Sequence, residues 1–186
     1  NICLGNVSCD MDSSIGVFIL AYYLTHVNKY YEDPGNYDTL FIPVINCPRG
    51  ELQARIDITY HLTKHGVNLD NLVYISDLNI DHYSNNGLLS ISIIDHNKLD
   101  MTQSKWDDSI RMVVDHHVDT HAYDNRKDVE RHVNFCGSAC SMAVNFYFEN
   151  NLGHLLDKEV CEFFFPAILL DTENLKPSLK NLKWGD

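Results

Sequence analysis

Five short runs of apolar, largely β-branched residues recur along this chain, and each ends in a carboxylate, an amide or a histidine. They are NICLGN (1–6), LFIPVIN (40–46), NLVYISD (71–77), LLSISIIDH (88–96) and IRMVVDHH (110–117). Each has the length and composition of a strand buried on both faces. Helical patterns lie between and after them. Ile15, Phe18, Ile19, Tyr22 and Tyr23 recur at helical spacing behind Asp12 and Ser13, residue types that cap helix starts. Segment 50–65 is amphipathic and stops at Gly66, and 138–150 and 157–170 read as two further helices. Strands alternating with helices predict an α/β fold, an open and mainly parallel β-sheet with helices on both faces. Segments 31–38, 79–87, 97–108 and 119–131 are expected to be loops.

The polar residues that close these runs share one property. Asp10 and Asp12 follow the first strand, Asp95 closes SISII, Asp115, His116 and His117 close RMVV, and Asp171 ends FFFPAILLD. In an open α/β sheet the C-terminal strand ends form one crevice, where ligands bind. Taken singly, Asp12 could cap its helix, Asp171 could serve a turn, and the two histidines could face solvent. Their joint occurrence argues otherwise, because capping does not favour histidine. Carboxylates with imidazoles and no thiolate suit Mn²⁺, Mg²⁺ or Co²⁺ rather than a structural zinc. The ligands suffice for two ions sharing a carboxylate, the arrangement used in phosphoester displacement. Two rival sets are weaker. Cys136 and Cys140 with His132 and His154 match no common zinc spacing, and His61 with His65 lacks a third ligand. His26, His82 and His121 read as surface residues.

Bulk properties narrow the partners. The 186 residues suit one domain, and 14 Lys plus Arg against 26 Asp plus Glu give a formal charge of −12. Such a chain is a poor nucleic-acid binder, since that affinity comes from neutralising phosphates with cations. The most apolar stretch, FFFPAILL, is short and interrupted by Pro166, so no membrane partner is expected. Six cysteines without a CxxC pair suit reduced thiols, which makes the cytoplasm the default compartment. If the ligand is a phosphate, its counter-charge must come from metal ions or from a further domain. Periodicity fades after Asn174, so residues 1–175 are expected to form the domain and 176–186 a linker toward a C-terminal domain.

The stretches GNVSCDMDS, PVINCPRGEL with Arg55 and Asp57, SIIDHN, VVDHH, FCGSACSM and LLDTEN appear in that order. Together they resemble the DHH phosphoesterase superfamily, and within it the eukaryotic exopolyphosphatases and prune-like proteins. The resemblance implies a Rossmann-like catalytic domain followed by a second domain of the same chain. It implies one metal held by Asp10 and Asp95 and a second by Asp12, Asp95, His116 and Asp171. His117 faces substrate as phosphate donor or general acid, and Asp115 orients a ligand imidazole. Asn6 stands where the related pyrophosphatases place a histidine ligand, which argues against a pyrophosphatase. Arg49, Arg55 and Ser138, the last with Gly137 at a helix start, are candidates to contact phosphate. The implied activity is metal-assisted release of terminal phosphate from inorganic polyphosphate. The alternatives are a prune-like cyclic-nucleotide phosphodiesterase or short-chain polyphosphatase, a pyrophosphatase, or a weakly catalytic interaction module.

Overall fold

In the computed structural model of the chain, residues 1–29 and 39–176 are described. The expected loop 31–38 and nearly all of the expected linker, 177–186, lie outside them. The strands are β1 (Ile2–Leu4), β2 (Ile42–Ile45), β3 (Val73–Tyr74), β4 (Ile91–Ile94), β5 (Ile110–Asp115) and β6 (Glu130–Val133). They form a sheet ordered β3-β2-β1-β4-β5-β6. Every neighbouring pair is parallel. The helices are α1 (Met11–Val27), α2 (Ile56–Lys64), α3 (Ile80–Asn85), α4 (Ala139–Glu149) and α5 (Lys158–Asp171).

Successive strand residues point to opposite faces, and the core divides accordingly. Cys3, Ile94, Met112 and Val114 face α1, α4 and α5, where Tyr147 and Leu20 are fully buried. Ile2, Leu4, Ile91, Ile93 and Val113 face the other way, toward Ile80 of α3 and Trp106. Both faces are therefore covered, as a parallel sheet requires. Helix α1 runs in close contact with the sheet: Gly16 leaves room for Ile94, whose Cδ1 would lie 3.0 Å from an added Cβ.

The structure departs from the expected elements in places. Strand β6 begins inside the expected loop 119–131 and runs past it. Helix α3 lies within the expected loop 79–87, and the 3₁₀ segment Ser104–Ser109 overlaps the expected loop 97–108 and passes its end by one residue. The expected helix 50–65 is two pieces, a 3₁₀ turn Leu52–Ala54 and then α2, because Arg55 adopts a non-helical backbone between them.

The strand order reverses direction between β1 and β4. Chain leaving β1 turns to one side and chain leaving β4 to the other, which opens a crevice at their C-terminal ends.

Candidate metal centre

Residues 5–10 connect β1 to α1 through a turn with little spare space. A Cβ on Gly5 would lie 2.9 Å from the Ser13 carbonyl oxygen. Asn46, just past β2, donates from Nδ2 to the Gly5 carbonyl at 2.7 Å. Arg55 donates from Nη2 to the Ser8 carbonyl at 2.9 Å. Cys9 takes a left-handed backbone with φ of 51°. Its N–H donates to Oδ1 of Asn6 at 3.1 Å, which fixes the amide and leaves Nδ2 to donate to Asp95 Oδ2 at 2.8 Å.

Asp10 caps α1: its Oδ1 accepts from the Ser13 N–H at 3.0 Å, and its Oδ2 accepts from Ser8 Oγ at 2.8 Å. Capping thus falls to Asp10, and Asp12 is free for another purpose. Its buried carboxylate faces the start of α4. It accepts from Ser138 Oγ at 2.5 Å, the Ala139 N–H at 2.6 Å and the Cys140 N–H at 3.1 Å. Orphan N–H groups and the helix dipole favour an anion there. The anion is Asp12 itself, so Ser138, fully buried, braces a carboxylate of the site.

Asp95 follows β4 directly with φ of 66°. That left-handed conformation is one aspartate tolerates better than most residues. Its Oδ1 is buried and has no hydrogen-bond partner. His116, directly after β5, brings Nε2 within 3.2 Å of that oxygen, 3.6 Å of Asp171 Oδ2 and 3.8 Å of Asp12 Oδ2. Its Nδ1 donates to the Cys136 carbonyl at 3.1 Å, so Nε2 is the nitrogen presented to the three carboxylates. Asp171 arrives from the last residue of α5, which continues through Pro166 to reach it.

Electrostatics matches this geometry. Burial, and then the charges of Asp12 and Asp10, push the Asp95 carboxyl up to about 7, partly offset by His116. Burial likewise raises Asp12, with Asp171 adding repulsion and the bonds from Ser138 and Cys140 opposing it. Burial works against a charge on His116, yet Asp95, the Cys136 carbonyl, Asp12 and Asp171 together raise it to about 9. Three carboxylates and one imidazole nitrogen gathered in this way fit a cation. The oxygen-rich donor set with one imidazole suits Mn²⁺ or Mg²⁺. Ligand atoms of Asp12, His116 and Asp171 lie close enough together to share an ion, as do those of Asp95, His116 and His117. Asp10 belongs to neither group, being occupied as a helix cap.

His117 stands at the rim with its side chain 57 % exposed, and its Nδ1 pairs with Asp115 Oδ1 at 2.8 Å. That contact foremost raises the imidazole above its ordinary value, against desolvation. Burial alone would raise Asp115, but hydrogen bonds from His117 and Asn97 outweigh it and hold the carboxyl low. Asp115 therefore orients His117, whereas the Cys136 carbonyl orients His116. Asn97 was not singled out from the sequence, although it lies within SIIDHN. It joins the two loops, donating to Asp115 Oδ2 and the Val118 carbonyl and accepting from the Thr120 N–H.

Other expected residues lie elsewhere. Arg49 pairs with Asp77 at 2.7 Å and stacks on Tyr74, so it is not gathered with the carboxylates. His61 packs against His65 and Phe163, with its Nε2 2.5 Å from the Phe163 carbonyl, as a core residue. A cavity of about 580 Å³ lined by Phe18, Tyr22, His65 and Phe163 contains none of the candidate ligands.

Comparison with known proteins agrees with this arrangement. The sequence matches the DHH family, N-terminal domain, over residues 2–168. The chain belongs to the DHH family. It is 26% identical to human exopolyphosphatase PRUNE1 over 177 residues, covering 94% of this chain and 36% of that protein. The bovine PRUNE1 exopolyphosphatase is 27% identical, with 94% of this chain and 36% of the relative covered. The chain thus spans about a third of the length of these relatives. A crystal structure of an exopolyphosphatase-related protein from Bacteroides fragilis shares the fold, with a TM-score of 0.61 at 12% identity. It covers 94% of this chain and 46% of that one.

Proposed function

We propose that this DHH domain is the metal-holding part of a hydrolase that releases terminal phosphate from inorganic polyphosphate. One observation carries the reading. Asp12, Asp95 and Asp171 surround Nε2 of His116, and Asp95 keeps a buried oxygen free of hydrogen bonds. Leaving a carboxylate oxygen in that state is costly unless a cation takes it. Asp12, Asp95, His116 and Asp171 would hold one divalent ion, Mn²⁺ or Mg²⁺, with Co²⁺ also compatible, and a second at Asp10 and Asp95 would require the Asp10 carboxylate to take the ion alongside or in place of its bonds from Ser13 and Ser8. Such ions supply Lewis-acid polarisation of a phosphoryl oxygen and a lowered water pKa.

The protein's own residues supply the rest. Ser138 and the start of α4 hold Asp12 in place, and the Cys136 carbonyl fixes the His116 tautomer. With Nδ1 taken by Asp115, His117 has Nε2 left to give a proton to the departing phosphate. The Asp115 carboxylate raises its pKa, which favours the protonated ring. Asn6 points an amide N–H at Asp95, where an imidazole would offer a metal a lone pair. This favours a polyphosphatase over a pyrophosphatase, as does the exopolyphosphatase name of the PRUNE1 relatives. The formal charge of −12 leaves recognition of a long polyanion to the metals and to basic residues in the rest of the protein. Among the described residues no helix is long and apolar enough to cross a membrane.

The test is phosphate release by the full-length protein from polyphosphate, pyrophosphate and a cyclic nucleotide, with Mn²⁺ and with Mg²⁺. Polyphosphate should be preferred. His117→Asn should lower kcat by about 10²–10⁴-fold, the range for losing a general acid. Asp95→Asn should abolish release. A folded, metal-loaded protein that releases phosphate from none of these would leave an interaction module.

A further inference from the structure

A cavity of about 300 Å³ opens beside His117, walled by Asn6, Asp95, Val118, Thr120 and Lys98. Asn6, His96 and Lys98 also line a smaller cavity of about 160 Å³ alongside it. Resting on the polyphosphatase reading, we propose that the cavity beside His117 receives the second phosphate of the substrate chain, with Lys98 as its contacting cation.

Two observations support it. First, Lys98 is exposed and takes part in no ion pair or hydrogen bond among the described residues, whereas Arg49, Lys105, Arg126 and Arg131 each hold a carboxylate. Among the described residues Lys98 is the one permanent cation on a wall that also bears Asp95 and Asp115, and it helps offset their repulsion of an entering anion. Second, its backbone is anchored beside the cavity. It follows Asn97, whose amide is tied to Asp115, Val118 and Thr120. The cavity also lies on the His117 side of Asp95, where a leaving phosphate must emerge if His117 protonates it. A chain bound this way has its terminal phosphate at the carboxylates and its second phosphate against Lys98. Pyrophosphate and longer chains share this contact; a phosphomonoester lacks it.

The experiment compares full-length wild type, Lys98→Ala and Lys98→Arg in Mn²⁺. The substrates are tripolyphosphate and p-nitrophenyl phosphate, which has a single phosphate. Lys98→Ala should raise KM for tripolyphosphate about tenfold more than KM for the monoester, the scale of one charged hydrogen bond, and Lys98→Arg should restore most of it. Calorimetric titration with imidodiphosphate, whose P–N–P bridge resists hydrolysis, should show about the same weakening in Lys98→Ala. Titration with orthophosphate should show much less. Equal effects on both substrates, equal weakening of orthophosphate, or no effect at all would overturn the inference and leave the hydrolase reading intact. A wild type that neither cleaves tripolyphosphate nor binds imidodiphosphate would overturn both.

Discussion

At His116 the ring sits between one carbonyl and three carboxylates, and that placement sets how the protein responds to pH and metal. Nδ1 is committed to Cys136, so Nε2 needs a cation, either a proton or a metal ion. Without metal the proton serves. His116 is raised from 6.5 to about 9, and Asp95 from 3.8 to about 7. Both folded values exceed the unfolded ones, so the folded state binds the extra protons. The stability these contribute is complete below the unfolded pKa values and is lost as pH climbs through about 7 and then about 9. The metal-free protein should therefore melt at falling temperatures as pH rises toward the His116 value. Mn²⁺ displaces the same protons, so its affinity should rise over that range. Thermal melts in chelator and in Mn²⁺ check both, and a metal-free melting temperature that climbs with pH would contradict the scheme. The carboxylates themselves are legible in the sequence, because each follows an apolar run whose end topology places on one rim. Asp12's bracing is not legible: its Ser138 partner lies 126 residues away, and no local pattern announces the pairing.

Among the elements, the structure departs from the sequence reading where burial is weakest. β6 reads ERHV and is nowhere fully buried, being an edge strand with no apolar alternation to reveal it. Helix α3 buries only Ile80, so helical periodicity has nothing to act on. By contrast, β1, β4 and α1 are buried along most of their length, and they carry Asp95, Asp10 and Asp12. The junction between β1 and α1 is the most demanding of these. Gly5 approaches the Ser13 backbone too closely for any side chain, whereas an added Cβ on Gly50 meets nothing within 4 Å. Gly5→Ala should push the first turn of α1 outward, costing about 1–3 kcal/mol as overpacking does. It should weaken Mn²⁺ binding as well, since Asp10 and Asp12 ride on that turn. Gly50→Ala should leave both quantities near wild type. Urea melts and metal titration of the pair separate this local effect from a general intolerance of alanine. A Gly5→Ala protein with normal stability and metal affinity would show that the turn can relax.

For the whole molecule, the sheet order places the site between two halves of the chain. Asp10 and Asp12 come from the segment that follows β1, on the side leading to β2 and β3; Asp95 and His116 follow β4 and β5; Asp171 arrives at the end of α5. An ion at this point adds a tie between elements already joined by the sheet and by the hydrogen bonds of Asn6 to Asp95 and of Ser138 to Asp12, and it binds the folded chain alone, since the unfolded chain scatters its ligands. Linkage then sets the scale: at free Mn²⁺ about 100-fold above Kd, the domain should gain about 2.7 kcal/mol. The gain should appear as a higher urea midpoint with an unchanged m-value, because the surface exposed on unfolding is the same. Asp171→Ala separates the metal's role from that of the carboxylate. Removing it relieves the repulsion that helps raise Asp12 but also takes away one charge that helps hold the His116 proton, so the two effects oppose and the metal-free protein should stay close to wild type in stability. At the same Mn²⁺ concentration, however, it should recover less of the gain, because one ligand is gone. A mutant that loses stability in chelator and responds to Mn²⁺ as wild type does would instead make Asp171 a structural residue that is not a ligand. The ion would then be held by the two halves of the sheet alone.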